Sequence, residues 1–190
     1  MPVDLLIING TVATSSGTER VDIAVDGGKI VAIASRDALP AGREQIDARG
    51  LHLLPGLVDP HVHVRDPGRT EREDFYTATA AAAAGGITTI LEMPIASPPL
   101  NSAGSLAHRV EVARDKALID YAFYGGAAAD NLADIAPMAE TGVVAFSNVQ
   151  PSGTGDEPPP RIAFGVVSKI VRAGPAGFDA VPVAVVSPSP

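Results

Sequence analysis

The chain of 190 residues carries 14 basic against 22 acidic side chains, a formal charge of −8, with 46% hydrophobic residues and no cysteine. The acidic balance, without any basic cluster, speaks against a nucleic-acid surface, and the missing thiols exclude disulfides and thiolate metal sites. No leader is expected in MPVDLLIING and no membrane span in a chain lacking a run of about 18 apolar residues, so the cytoplasm is the expected location.

Residues 1–54 read as a small antiparallel β domain. Val3–Ile8 is an apolar run, Asn9-Gly10 is a strong hairpin signal, and Thr11–Thr14 returns with β-branched residues. Val21, Ile23 and Val25 then alternate with Asp22, Ala24 and Asp26, and Asp26-Gly27-Gly28 turns the chain into a strand over residues 29–33. A fifth strand is expected over residues 45–54, with His52 an ordinary member of it.

Residues 53–68, LLPGLVDPHVHVRDPG, change the character of the chain. Side chains on a strand alternate faces with period two, so a strand through this run puts His61, His63 and Arg65 on one face. Two imidazoles one strand repeat apart can converge on one metal ion, each through a single ring nitrogen. Arg65 would hold an anionic substrate beside them. Pro55-Gly56 before the run and Asp66-Pro67-Gly68 after it place the histidines at the strand's C-terminal end.

Strand and helix alternate from there, the signature of a parallel sheet with helical crossovers. Thr70 with Glu73 reads as a capping box, a helix runs from Phe75 to Ala84, and Gly85-Gly86 ends it. Residues 87–91 make a second strand and residues 93–99 a loop. Ser102 caps a second helix with Leu106, Val110, Ala113 and Ala117 at helical spacing and His108 off that stripe, in solvent. Residues 118–124 form a third strand closed by Gly125-Gly126. A third helix opens at Asp130-Asn131 and stops at Gly142; Pro137 inside it would cost about 3 kcal/mol in a regular interior, which predicts a kink or a restart. Residues 143–146 are the fourth strand.

The pattern breaks after Phe146. Residues 147–190 hold 8 of the 17 prolines and have no helical period, so an extended or disordered tail is expected, with only RIAFGVVSKIVR at 161–172 offering an element.

PGLVDPHVHVRDPGRT at 55–70 and AAAAAGGITTILEMP at 80–94 resemble the opening of the catalytic barrel of the cyclic amidohydrolases, the dihydroorotase, allantoinase and hydantoinase group, and the resemblance spans residues 3–146. It implies an α/β fold: a small N-terminal β-sandwich-like unit at 1–54, then at 55–146 the first half of a metal-dependent (β/α)8 TIM barrel, truncated. Members of the group hydrolyse a C–N bond of a cyclic amide or ureide at one or two divalent metal ions, zinc being expected. The metal is held by the H-x-H pair, a carboxylated lysine on the fourth strand, and later histidines and an aspartate. His61 and His63 are on that basis metal ligands, and Arg65 binds substrate. Dihydroorotases pair this arginine with an asparagine after the Met-Pro of the second strand, whereas Met93-Pro94 is followed here by Ile95-Ala96, and GRTEREDF at 68–75 is more similar to allantoinases.

Ser147 stands where the family has its lysine, and serine cannot be carboxylated to bridge metals. A catalytic zinc takes three protein ligands, and the histidine pair supplies two. The resemblance therefore implies an allantoinase- or dihydroorotase-type hydrolase that is incomplete and inactive as this chain alone; the alternative is a non-catalytic subunit or scaffold. An abrupt change at this position points to a shifted reading frame or an artificial join. The expected partner is a small cyclic amide or ureide, with no nucleic acid and no membrane; a homo-oligomer is compatible with all of this.

Overall fold

A computed structural model describes residues 1–128, 130–148 and 183–186. Two units are distinguished: one of Met1–Leu57, Gly86–Thr88 and the strand at 183–186, the other of Val58–Gly85 and the described residues from Thr89 to 148.

The first unit has two sheets. Strands β1 (Val3–Ile8), β4 (Asp22–Asp26), β5 (Lys29–Ala34) and β6 (Gly42–Asp47) run in the order β5-β4-β1-β6. Strands β2 (Thr11–Thr14), β3 (Gly17–Glu19), β7 (His52–Pro55) and β12 (Val183–Val186) run in the order β12-β7-β2-β3. Strand β1 is apolar throughout its second half because both of its faces are covered. Ile7 packs with Val12, Ile23, Ala48 and Leu53, while Leu6 packs with Val3, Ala24 and Leu39.

Asn9-Gly10 does not close a hairpin. Strand β1 pairs antiparallel with β4 (Leu5 opposite Val25) and parallel with β6 (Val3 opposite Gly42); β2 pairs antiparallel with β3 and parallel with β7 (Thr11 opposite His52). The unit is thus mixed rather than antiparallel. Asn9 does adopt the left-handed conformation (φ 63°) that the dipeptide favours, but it serves to carry the chain from one sheet to the other. Its backbone N–H donates to Asp22 Oδ1 at 3.0 Å and its Nδ2 to Asp47 Oδ1 at 2.8 Å. Gly10 is required by packing, since a Cβ there would lie 2.8 Å from Leu53 Cδ1. The single strand expected over residues 45–54 is likewise two, β6 and β7, separated by a turn in which Leu51 N–H donates to Ala48 O and Gly50 takes φ 79°.

Strands β8 (Leu57–Val62), β9 (Ile87–Glu92), β10 (Asp120–Ala127) and β11 (Ala145–Asn148) lie side by side in chain order, all in the second unit except Leu57, Ile87 and Thr88. Helices α1 (Phe75–Ala84), α2 (Ala103–Arg114) and α3 (Ile135–Thr141) connect them. The β9–β10 and β10–β11 pairs are parallel. This is the consecutive β/α order expected of half a barrel. Phe75 of α1 meets Tyr121 and Phe123 of β10 with ring centroids 6.1 Å away in each case. Thr79, fully buried in α1, accepts the backbone N–H of Leu118 at 3.0 Å and so ties the helix to the start of β10.

Three boundaries differ from the sequence reading. Helix α1 is capped by Asp74, whose carboxylate accepts Thr77 N–H at 2.8 Å, and Thr77 Oγ1 accepts Asp74 N–H at 3.1 Å. Thr70 and Glu73 have the same spacing, but residues 69–72 are used in a turn in which Arg72 N–H donates to Arg69 O. Strand β10 runs through Gly125-Gly126 instead of stopping there, and Gly125 is required by packing, since a Cβ on it would lie 2.7 Å from the Phe146 ring. Pro137 falls in the first turn of α3, after a 3₁₀ turn at Leu132–Asp134; an N–H there has no intrahelical acceptor to lose. The helix restarts and Gly142, at φ 124°, ends it.

Of the expected tail, Ser147, Asn148 and Val183–Val186 are described, the last antiparallel to β7 (Val183 opposite Pro55). The disordered, frame-shifted and 161–172 readings fall outside the described residues. Among those residues no helix is long and apolar enough to cross a membrane.

Candidate metal centre and its arginine loop

Strand β8 ends at Val62, where Val62 O accepts Met93 N–H at 2.8 Å. His61 is therefore on the strand and His63 just past it. Their rings nevertheless meet edge to face, with centroids 5.2 Å apart and planes at 77°. His61 is exposed; its backbone N–H donates to Asp59 Oδ1 at 3.1 Å. Val64, the next residue of opposite parity, is fully buried and anchors the segment.

His63 is the unusual group of the pair. Its Nδ1 is buried and has no hydrogen-bond partner among the described residues. Burial pushes its pKa below the ordinary imidazole value, and the charges of Arg65 and His61 push the same way. At neutral pH the ring is thus neutral with an uncommitted nitrogen, the state in which an imidazole ligates a metal. On this observation the two histidines fit a divalent ion as part of a donor set. They do not complete it, since no group of three His, Cys, Asp or Glu side chains converges among the described residues.

Arg65 departs from the strand that the sequence reading extended through it. Its φ is 64°, a left-handed conformation costing a non-glycine residue about 1–3 kcal/mol, and its carbonyl accepts Arg69 N–H at 2.9 Å. The turn brings both arginines to one cavity of about 210 Å³, lined also by Ile95, Ala96 and Ser97 from the loop after β9. Arg69 was not singled out in the sequence. Its signal was the spacing of four from Arg65 across a Pro-Gly turn.

Two ion pairs hold the surroundings. Asp66, 2% exposed, accepts Lys116 Nζ at 2.7 Å and Phe75 N–H at 3.4 Å, so the residue after Arg65 is tied to the start of α1 and the end of α2. Glu92 and Arg109, each 1% exposed, form the deeper pair. Arg109 Nη1 donates to both carboxylate oxygens at 2.9 Å, and Nη2 donates to Pro98 O at 2.9 Å. Burial pushes the Glu92 carboxyl up to about 7, and Arg109 offsets that only in part. Both residues escaped the sequence reading, although Arg109 sits on the buried stripe of α2 between Leu106 and Ala113.

The remaining sequence candidates are elsewhere. His52 begins β7 and His108 lies on α2, both exposed. Ser147 is on β11, opposite Gly126.

A family model described as Dihydro-orotase-like matches residues 50–152. An allantoinase of Streptomyces avermitilis is 48% identical over 159 residues, covering 82% of this chain and 36% of its own length. One from Desulfitobacterium hafniense is 43% identical, with 75% and 32% covered. The solved structure of L-hydantoinase (dihydropyrimidinase) from Arthrobacter aurescens superposes with a TM-score of 0.73 at 36% identity, covering 76% of this chain and 32% of that one. The chain spans about a third of the length of these relatives.

Proposed function

Since the chain belongs to the cyclic amidohydrolases, the family of allantoinases, hydantoinases and dihydroorotase-like proteins, we propose that it is the metal-anchoring and ring-recognising portion of an enzyme that opens a cyclic ureide by hydrolysing a C–N bond, of the allantoinase type. The observation that supports this most is the meeting of His61 with His63, whose buried Nδ1 lacks a partner, two residues before the arginine loop.

A divalent metal such as zinc, when bound, supplies a Lewis acid and brings the pKa of coordinated water towards about 7. His61 and His63 would hold it. Arg65 and Arg69 would orient the ring, because a guanidinium presents a planar fork of donors that fits carboxylate or paired carbonyl oxygens. The Lys116–Asp66 pair keeps that loop in its left-handed turn, and Arg109 fixes the facing loop through Pro98 O. Further metal ligands must come from beyond the described residues or from another chain.

The test is metal content and turnover on the purified chain. Zinc should be held weakly, be lost on dialysis, and not bind at all when His61→Ala and His63→Ala are combined. Allantoin, a hydantoin and dihydroorotate should open no faster than with metal ion in buffer. Zinc binding indifferent to the histidine changes would overturn the proposal. Turnover that disappears in His61→Ala would show the donor set to be complete in this chain, and stable oligomers without histidine-dependent metal binding would favour a non-catalytic subunit.

A further inference from the structure

The first unit holds a cleft of about 650 Å³ that the proposed hydrolysis does not use, with Arg20, Arg36, Arg49 and His52 in its lining beside Asn9 and Asp22. In a chain of net charge −8, three guanidiniums against one carboxylate give this lining a charge of +2 with the imidazole neutral. We propose that the cleft binds a small multivalent oxyanion, a phosphate ester or a polycarboxylate.

None of the three guanidiniums is held by a short contact. Arg20 has no hydrogen bond or ion pair among the described residues. Arg36 Nη1 reaches the carbonyls of Leu39 and Pro40 only at 3.4 Å each. Arg49 Nη2 lies 3.5 Å from an Asp47 carboxylate whose side chain is 51% exposed, and such a surface pair contributes little. A ligand oxyanion competes with none of these strongly.

The backbones of Arg36 and Arg49, by contrast, are set. Arg36 starts a 3₁₀ turn at Arg36–Ala38. Arg49 N–H donates to Asp47 Oδ1 at 3.1 Å, the same oxygen that accepts Asn9 Nδ2, and Asn9 N–H is in turn held by the buried Asp22. Arg36 and Arg49 thus stand on a set turn and loop, and none of the three guanidiniums in the lining is held by a short contact. Guanidinium forks pair with carboxylate and phosphate oxygens in bidentate fashion. Among the described residues the lining has no Phe, Tyr or Trp and is predominantly polar and charged, which favours a charged, polar ligand. The cleft is also larger than a single phosphate needs, which favours a ligand with several anionic groups.

Calorimetric titration of the full chain at low ionic strength, with inorganic pyrophosphate in one series and citrate in another, tests this. Saturable binding is expected from at least one probe, weakened about tenfold or more in Arg20→Gln with Arg49→Gln and unchanged in Arg114→Gln, an exposed arginine of α2 outside the lining. Preference for pyrophosphate assigns the site to phosphate esters, preference for citrate to polycarboxylates. All these side chains are exposed or partly exposed, and circular dichroism confirms the fold of each variant. The absence of saturable heat with either probe at about 1 mM, or binding that the Arg20/Arg49 variant leaves intact, overturns the proposal.

Discussion

Arg109 in the second unit is 1% exposed and gives Nη1 to both oxygens of Glu92 and Nη2 to Pro98 O. Arg20, Arg36 and Arg49 in the first unit are exposed and make long contacts or none. The same side chain is a structural member in one place and an open receptor in the other, and desolvation decides which. A guanidinium taken out of water must be paired to be tolerated, and the donors that Arg109 commits to Glu92 and Pro98 O are not offered to a ligand. One left in water costs nothing to keep and can exchange water for an oxyanion.

The contrast is sharpest in Arg109→Met, which leaves Glu92 buried without its partner and should cost about 3–5 kcal/mol in urea unfolding. Adding Glu92→Met should recover most of that loss, because the apolar pair carries no desolvation penalty. If the single change cost no more than a surface arginine, the comparison would fail. The pH dependence comes next. Burial pushes the Glu92 carboxyl up to about 7 in the fold against 4.5 for an ordinary glutamate, so between those values the native state holds the extra proton. The contribution is present below pH 4.5 and is lost as pH rises through about 7; stability should fall across that window by at most about 3 kcal/mol. Glu92→Gln should flatten this slope in denaturation curves measured from pH 5 to pH 8.

Lys116 is the intermediate case, with a side chain 40% exposed and a partner, Asp66, at 3%. Lys116→Met leaves that carboxylate with Phe75 N–H alone and should cost about 1–3 kcal/mol. Smallest of all, Arg20→Met should move the thermal midpoint by the equivalent of no more than about 0.5 kcal/mol. A larger loss would mean that Arg20 is already engaged within the protein.

What was legible in the sequence follows the same division. Features that depend on local chemistry could be read: the apolar strand Val3–Ile8, the Ser102 cap, the alternation of strand and helix, and the restart at Pro137. Features that depend on which distant segment lies opposite could not. Asn9-Gly10 has the dihedral of a hairpin turn, yet a hairpin and a sheet-to-sheet crossover share that dihedral, and only the pairing of β1 with β4 distinguishes them. Gly125 looked like a stop because the Phe146 ring that requires it is 21 positions further on. At the site, the histidine pair was visible from its spacing of two. Arg65 was assigned to a strand that ends three residues earlier, and Arg69 became a neighbour only through the resulting turn. Arg109 was hidden because a charged residue on an apolar stripe announces a buried partner without naming it.

The parallel pairs of the first unit also govern the time order of assembly. Val3 meets Gly42 and Thr11 meets His52, so neither sheet can zip from a tight turn between those strands. Each must close a loop of roughly forty residues first, at an entropic cost of about 3 kcal/mol before any ladder hydrogen bond compensates it. The antiparallel pairs β2–β3 and β4–β5, joined by short turns, can form in advance. On a ribosome, β1 can pair with β4 once residues 22–26 have emerged, but its other edge stays open until residues 42–47 follow, and slow refolding should be traceable to that docking step.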